Sequence, residues 1–298
     1  MNLPEPDRAS FLAVNRTRLR LWEWGDPAAP PVVLVHGGWD HGRMFDGLAP
    51  QVAAMGLQAV ALDLRGHGDS GRLGFSGACW VAWNLDIAKV IRHVSARSGA
   101  LAGLIGHSLG GGQVLSVASA FPELVGWVLN LDGLGPPPEM MIVEDHAAAA
   151  TRWLADAEAV WYGPQREYAS IEELAARRKE INLRLPEEWC VHLARHGSMR
   201  GPNGGLVWKS DPVMRVGGPG PFGEWALLSQ YRRIRCRVVA LTGAEPDMWS
   251  GLSDDAIARR VGAMPHGEHH AVEGAGHYIH VERPDIVLEH AGRLADLR

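Results

Sequence analysis

Short apolar runs alternate with helix-like stretches along most of this chain. Uninterrupted runs such as VVLVHG, AVALDL and CRVVALTG are typical of strands buried on both faces of a parallel sheet. LAGLIG, GWVLNLD and HHAVEG continue the pattern. Near the N-terminus, FLAVNRTRLRLWEWG alternates apolar and polar residues around Asn15 and Arg16, which indicates a β-hairpin. The pattern therefore predicts an α/β fold with a mostly parallel central sheet flanked by helices.

The strand pattern stops between about residues 134 and 230. GLGPPPE ends it, and the stretch that follows is Trp-rich, helical in places and free of strand runs. SIEELAARRKEIN carries a capping box, formed by Ser170 and Glu173, and LPEEWCVHLARHG begins with Pro and ends with Gly. We therefore expect residues 134–230 to form a helical cap, inserted into a core domain made of residues 1–133 and 231–298.

Composition and charge narrow the classes of partner. A net charge of −5 with both signs interspersed offers no basic stripe for a phosphate backbone, so we expect no nucleic-acid partner. No apolar run approaches the roughly 20 residues of a membrane-spanning helix. The N-terminus MNLPEPDRAS lacks the build of a secretory signal. These features predict a cytoplasmic protein without a membrane partner.

Metal-ligating residue types are present, but not at a recognisable spacing. Cys79, Cys190 and Cys236 are widely separated and form no C-x-x-C pair, which favours reduced thiols. HGEHH, residues 266–270, has no distant partner motif, so we expect it to be a solvated loop. We expect neither a metal site nor a cofactor.

The run LIGHSLGGGQ places Ser108 between glycines, at the junction of a predicted strand and a predicted helix. Gly106 and Gly110 complete the form G-x-S-x-G, whose turn is too sharp for side chains at the glycine positions. Such a turn strains the serine backbone and exposes its hydroxyl at the carboxyl end of the sheet. The motif favours a nucleophile, although a serine before a helix can also be a simple N-cap.

A serine nucleophile requires a base, because its hydroxyl must lose a proton as it attacks. VEGAGHYIHVERPD places His277 in a Gly-rich turn after the last predicted strand, from which the ring can reach across the sheet. His280 lies where the final helix begins, and His107 adjoins the serine and must point away. We therefore expect structural roles for these two histidines, and His277 is the candidate base.

Acyl transfer also requires hydrogen-bond donors for the oxyanion. VHGGWDHG ends a predicted strand in two glycines, so the backbone N–H of Gly38 or Trp39 can face the site. The second donor would be the N–H of Leu109, directly after the candidate nucleophile. An ordinary Gly-rich turn is the alternative for VHGGWDHG, but the nucleophile and base signals favour an oxyanion hole.

Four motifs together resemble those of the α/β-hydrolase fold superfamily, in its order and at its spacing: HGGW, DLRGHGDS, GHSLGGG and GAGHYIHVERP. The resemblance covers nearly the whole chain and implies a lidded serine hydrolase of the esterase type, with nucleophile, base and oxyanion amides at the residues named above. Dehalogenase and epoxide hydrolase relatives carry Asp at the nucleophile position, where this chain has Ser108. DLRGHGDS is expected to be a structural loop, so Asp63 and Asp69 are not catalytic candidates.

The acid that orients His277 has three candidates. Asp247 follows a predicted strand in LTGAEPDMWS, where most of the family carries the acid, and we expect it to complete the triad. Asp132 ends the preceding predicted strand, at a position that some branches use instead, and Glu245 is the third candidate. Each of these carboxylates could also simply cap its own loop.

These residues predict a cofactor-independent serine hydrolase that cleaves a small to medium carboxylic ester, thioester or lactone. The expected partner is a small-molecule substrate, and neither a monomer nor a homo-oligomer is indicated. Two other functions stay open. One is a C–C bond or other non-ester hydrolase on the same triad, because a fold does not fix a reaction. The other is a ligand-binding relative without turnover.

Overall fold

The computed structural model describes residues 3–73, 80–216 and 223–296, so Cys79 lies outside it. Its strands are β1 (Arg8–Val14), β2 (Thr17–Trp24), β3 (Pro31–Val35), β4 (Gln58–Leu62), β5 (Ala102–His107), β6 (Val125–Leu131), β7 (Ser198–Arg200), β8 (Leu206–Trp208), β9 (Arg237–Gly243) and β10 (Gly267–Val272). Over the described residues, eight strands form one sheet in the order β1-β2-β4-β3-β5-β6-β9-β10. From β4 to β10 all neighbours in this order pair parallel, which confirms the predicted sheet.

The predicted N-terminal hairpin is also present. β1 pairs antiparallel with β2, and Asn15 and Arg16 form its turn with φ of 41° and 63°. Positive φ at both central residues gives a hairpin turn whose twist matches that of the strands. β2 then pairs antiparallel with β4, which attaches the hairpin to one edge of the parallel sheet.

Helices cover both faces of the sheet. They are α1 (Ala49–Ala54), α2 (Trp80–Ser98), α3 (Leu109–Ala120), α4 (His146–Tyr162), α5 (Ile171–Ile181), α6 (Glu187–Gly197), α7 (Glu224–Tyr231), α8 (Asp254–Gly262), α9 (Ile279–Glu282) and α10 (Pro284–Asp296). Val33 and Val35 of β3 pack in a core with α2 and α3, whereas Val32 and Leu34 pack in a second core with α1 and α10. Because both faces are buried, the central strands β3 to β6 and β9 are mostly apolar.

The connection between β6 and β9 (residues 132–236) carries α4 to α7 and the short strands β7 and β8. Ser170 caps α5 by accepting a hydrogen bond from the Glu173 backbone N–H at 3.3 Å, as the capping box predicts. The expectation of a stretch free of strands is wrong, because β7 and β8 form a small antiparallel hairpin. Each of these strands has only three residues, too few for an alternating pattern to be visible in the sequence.

Two further expectations can be compared with these elements. The expectation of a loop at residues 266–270 is wrong, because β10 (Gly267–Val272) includes most of them. β10 is the last strand of the sheet and its side chains are mostly half-buried, which explains its polar sequence.

Among the described helices, none combines the length and hydropathy that a membrane crossing requires.

Candidate active site

Ser108 stands at the turn between β5 and α3, with φ of 52° and ψ of −119°. Non-glycine residues seldom adopt a positive φ. A Cβ at Gly106 would lie 2.6 Å from the Gly110 carbonyl oxygen, and one at Gly110 would lie 2.2 Å from that of Val35. The turn therefore requires glycine at both positions. The Ser108 side chain makes no capping hydrogen bond to α3, which argues against a simple N-cap.

Ser108 and His277 line one cavity of about 650 Å³. The cavity lies at the carboxyl ends of the parallel strands, where ligands bind in open α/β sheets. Ser108 is anchored on the neighbouring strand, because its backbone N–H donates to the Leu131 carbonyl at 2.9 Å. Both residues singled out by the sequence therefore face the same space.

His277 precedes α9, and its ring is held by a carboxylate. His277 Nδ1 lies 2.6 Å from Asp132 Oδ2, and both side chains are largely buried. Ser250 Oγ donates to the same carboxylate oxygen at 2.7 Å. A ring held in this way donates from Nδ1, which leaves Nε2 free to accept a proton. The sequence analysis did not identify Ser250, since an isolated loop serine carries no signal.

Asp247 and Glu245 contact the backbone around His277 rather than its ring. Asp247 Oδ2 accepts from the His277 backbone N–H at 3.3 Å, and Glu245 Oε1 accepts from that of Gly274 at 3.1 Å. The expectation that Asp247 lies against the imidazole is therefore not met in this structure, where Asp132 occupies that position. All three candidate acids nevertheless converge on the loop that carries His277.

The loop after β3 lines the cavity beside Ser108. Gly38, Trp39 and Leu109 all line it, and Trp39 has a positive φ of 61°. A Cβ at Gly37 would lie 2.9 Å from His107 Nδ1 and 3.2 Å from Ser108 Cβ, so glycine lets this loop approach the serine closely. The three candidate oxyanion residues thus lie beside Ser108.

Two buried histidines support this loop and the one that carries His277. His36 Nε2 accepts from the Leu64 backbone N–H at 3.0 Å, so its Nδ1 donates to the Gly37 carbonyl at 2.7 Å. His107 Nε2 lies 3.0 Å from the His277 carbonyl oxygen, to which it donates. Burial lowers the pKa of both rings well below the ordinary value, and nearby histidines lower it further. They are neutral hydrogen-bonding groups, in agreement with the structural role expected for His107.

DLRGHGDS forms a hydrogen-bonded loop beside the site. Asp63 Oδ1 accepts from the Gly42 backbone N–H at 2.6 Å and from Trp22 Nε1 at 3.1 Å. Its Oδ2 accepts from the Asp69 backbone N–H at 2.7 Å. Neither Asp63 nor Asp69 lines the cavity that contains Ser108. Their contacts are those of a structural loop.

The β6–β9 connection supplies much of the cavity wall. Nine lining residues come from it: Arg166, Tyr168, Arg177, Arg178, Ile181, Asn182, Trp208, Ser210 and Met214. Trp39 and Trp249 approach from the sheet side, with ring centroids 5.6 Å apart. The sequence analysis did not single out Trp249 or Arg178, because nothing local distinguishes them from other Trp and Arg residues.

One cluster of metal-ligating side chains exists among the described residues. Asp46, His192 and His196 offer ligand atoms within 4.8 Å of one another. Arg43 occupies this cluster, since its Nε donates to Asp46 Oδ2 at 2.6 Å and its Nη1 lies 3.3 Å from His196 Nδ1. A guanidinium already supplies the positive charge there, so the cluster does not favour a metal ion.

Comparisons with known proteins find similarity over most of the chain. Residues 32–290 match the model of the alpha/beta hydrolase family. A probable serine hydrolase of Drosophila melanogaster is 27% identical over 280 residues, covering 90% of this chain and 81% of that protein. Esterase Rv0045c of Mycobacterium tuberculosis is 25% identical over 314 residues, covering 99% of this chain and 91% of that one.

Solved structures show the same fold. A thioesterase domain from the curacin biosynthetic pathway superposes with a TM-score of 0.84 at 21% identity, covering 95% of this chain and 98% of that one. An E-2-(acetamidomethylene)succinate hydrolase superposes with a TM-score of 0.77 at 23% identity, covering 97% of this chain and 99% of that one. At this identity the likeness concerns the fold alone.

Proposed function

Because the chain belongs to the alpha/beta hydrolase family, we propose that it is a serine hydrolase that cleaves a small to medium carboxylic ester, thioester or lactone. One observation carries the proposal: strained Ser108 shares a cavity with His277, whose ring nitrogen lies 2.6 Å from Asp132. Ester hydrolysis also agrees with the names of its relatives, a probable serine hydrolase and an esterase.

In the proposed reaction, Ser108 Oγ attacks the substrate carbonyl while His277 Nε2 takes its proton. The negative charge that forms on the carbonyl oxygen is met by the backbone N–H of Leu109 and of Gly38 or Trp39. The C–O or C–S bond then breaks, and the imidazolium returns the proton to the leaving alcohol or thiol. Water, activated by His277, hydrolyses the acyl-enzyme and restores Ser108.

We assign the triad acid to Asp132 rather than Asp247. The acid must accept the Nδ1 proton and stabilise the imidazolium, and Asp132 Oδ2 lies at hydrogen-bond distance from that nitrogen. Asp247 instead accepts from the backbone N–H groups of His277 and Trp249. It would therefore hold the His277 and Trp249 loops in place without contacting the ring.

The β6–β9 connection would act as a cap that supplies substrate-binding surface. Tyr168 and Trp208 from the connection line the cavity together with Trp39 and Trp249. Such a cavity suits an apolar or aromatic acyl or alcohol group, because aromatic side chains bury large apolar areas at modest entropic cost. A volume of about 650 Å³ is within the range of sites for small to medium ligands.

A hydrolysis screen tests the proposed function. Short- and medium-chain p-nitrophenyl esters, thioesters and lactones are offered to the purified protein, with Ser108→Ala as the matched control. We expect turnover that Ser108→Ala abolishes, and covalent labelling of Ser108 by a fluorophosphonate. A folded wild-type protein that neither hydrolyses any of these compounds nor reacts with the label would contradict the proposal and favour a ligand-binding relative.

A further inference from the structure

A buried charge pair joins the β6–β9 connection to both sides of the site. Arg178 of α5 donates from Nη2 to Asp40 Oδ1, and the same nitrogen lies 3.2 Å from the Tyr278 hydroxyl oxygen. Asp40 directly follows Trp39 in the candidate oxyanion loop, and Tyr278 directly follows His277. One guanidinium therefore contacts the oxyanion loop and the histidine loop, and all three residues line the cavity.

Stability alone does not account for this pair. Arg178 and Asp40 are 8% and 1% exposed, so both charges have lost most of their hydration. Burying an ion pair commonly costs more than the attraction returns, and apolar residues of similar size are often as stable. Asp40 Oδ2 and Arg178 Nε are buried without a hydrogen-bond partner among the described residues, which adds to the cost.

The pair belongs to the electrostatic surroundings of His277. Titratable groups lie around this histidine on the elements packed against it: Asp132, Asp247, Asp40, His107, Tyr278 and His280. Arg178 contacts two of them, Asp40 and Tyr278. Arg184 lies beside Gly276 but is paired with Glu282 at 2.6 Å. Asp40 would add a third carboxylate near the ring, and Arg178 is the cation that neutralises it.

We propose that Arg178 and Asp40 are positioning residues with two roles. Their ion pair holds α5 against the loops that carry Trp39 and His277, and it keeps the net charge beside His277 close to zero. The kinetic part of this inference rests on the proposed function. When α5 is held in this position, its residues keep the cavity wall in place for substrate. Because the two charges are opposite, the ion pair adds little net charge beside the ring.

The two charges predict opposite changes when each is removed. Asp40→Asn leaves Arg178 unpaired, which disfavours the imidazolium, so the acid limb of the kcat/KM pH profile should move about one pH unit lower. Arg178→Gln leaves Asp40 unpaired and should move the limb higher. This second shift should be smaller, because burial already raises the pKa of Asp40 and the unpaired carboxyl can take up a proton.

The double variant Asp40→Asn/Arg178→Gln leaves no unpaired charge. Its acid limb should return to the wild-type position, while KM rises because α5 has lost its link to the two loops. Arg178→Lys should also keep the wild-type acid limb, since the charge is retained, but should raise KM because Lys lacks the planar guanidinium. An unchanged KM in either of these two variants would overturn the proposed role in holding α5. This test stands even where Asp40→Asn or Arg178→Gln alone fails to fold.

Arg43→Gln is the matched control, because Arg43 and Asp46 form another buried pair, outside the cavity. This variant should lower the melting temperature without moving the pH profile. His277 can also be titrated by NMR in a Ser108→Ala background, with His277→Asn to assign its resonance. This measurement needs no turnover. If the protein shows no hydrolase activity, the proposed function is refuted, and the titration still tests the charge balance. An unmoved His277 titration midpoint in Asp40→Asn would overturn the inference.

Discussion

Replacing Asp132 by Asn tests the assignment of the acid most directly. Asp132 Oδ2 lies 2.6 Å from His277 Nδ1 and also accepts from Ser250 Oγ at 2.7 Å. Asparagine keeps the size and shape of the side chain, but its amide can turn an N–H donor toward Nδ1. The ring would then carry its proton on Nε2, the nitrogen that must take the proton of Ser108.

The expected loss is large because the contact is short, charged and buried. Asp132 is 10% exposed, so water cannot easily take the place of its carboxylate. The same replacement in a serine protease triad lowers kcat by about ten-thousand-fold. At about 1.4 kcal/mol of activation free energy for each factor of ten, this corresponds to roughly 5.5 kcal/mol.

Asp247→Asn is the matched comparison. Its carboxylate accepts from the backbone N–H groups of His277 and Trp249, at 3.3 and 3.0 Å. Weakening these bonds should cost about 1.4 kcal/mol, or about tenfold in kcat. The assay is steady-state hydrolysis of the best ester from the screen, with circular dichroism as the control for folding. A larger loss for Asp247→Asn than for Asp132→Asn would refute the assignment.

Three further predictions concern the nucleophile, the cavity and acid stability. Ser108→Ala and His277→Ala should each lower kcat by about a million-fold and together cost little more, whereas multiplying losses would show that they do not act as one unit. Trp249→Ala should raise KM about tenfold for bulky apolar esters and little for an acetate. Trp225→Ala is the control, because Trp225 is exposed and does not line the cavity. Burial lowers the pKa of His280 from 6.5 to about 3. Only the unfolded chain then takes up this proton between pH 6.5 and 3, so the free energy of unfolding is about 2 kcal/mol lower at pH 5. Urea unfolding at pH 7 and pH 5 should show a smaller loss for His280→Phe, and an equal loss would contradict this linkage.

The sheet and the turn that carries Ser108 could be predicted because their signals are local. Each uninterrupted apolar run became a parallel strand, since residues on both of its faces are buried between helices. The glycines around Ser108 are likewise dictated by a clash with nearby backbone, which any chain making this turn must avoid. Such constraints act within a few residues and are therefore visible in the sequence.

The choice among the acids could not be predicted, because it depends on contacts between distant residues. Asp132 and Asp247 both follow a strand, and only the folded loops decide which carboxylate reaches the ring. Arg177 and Arg178 of α5 likewise could not be told apart from the sequence. Their side chains are 51% and 8% exposed, although they are identical neighbours in the sequence. The direction in which α5 faces the sheet is set by packing, which no local motif encodes.

The position of Asp132 explains why the end of β6 is a suitable place for the acid. Its backbone N–H donates to the Leu241 carbonyl of β9 at 2.8 Å, and Asn130 closes the turn by accepting from the Gly133 N–H at 3.0 Å. A Cβ at Gly133 would lie 2.5 Å from the Ser108 carbonyl oxygen, so this turn packs directly against the nucleophile turn. The proposed acid and the proposed nucleophile are thus held by adjacent strands of one sheet. Because groups on rigid elements are placed more precisely than groups on loops, the end of β6 suits the proposed role of Asp132 in orienting the imidazole.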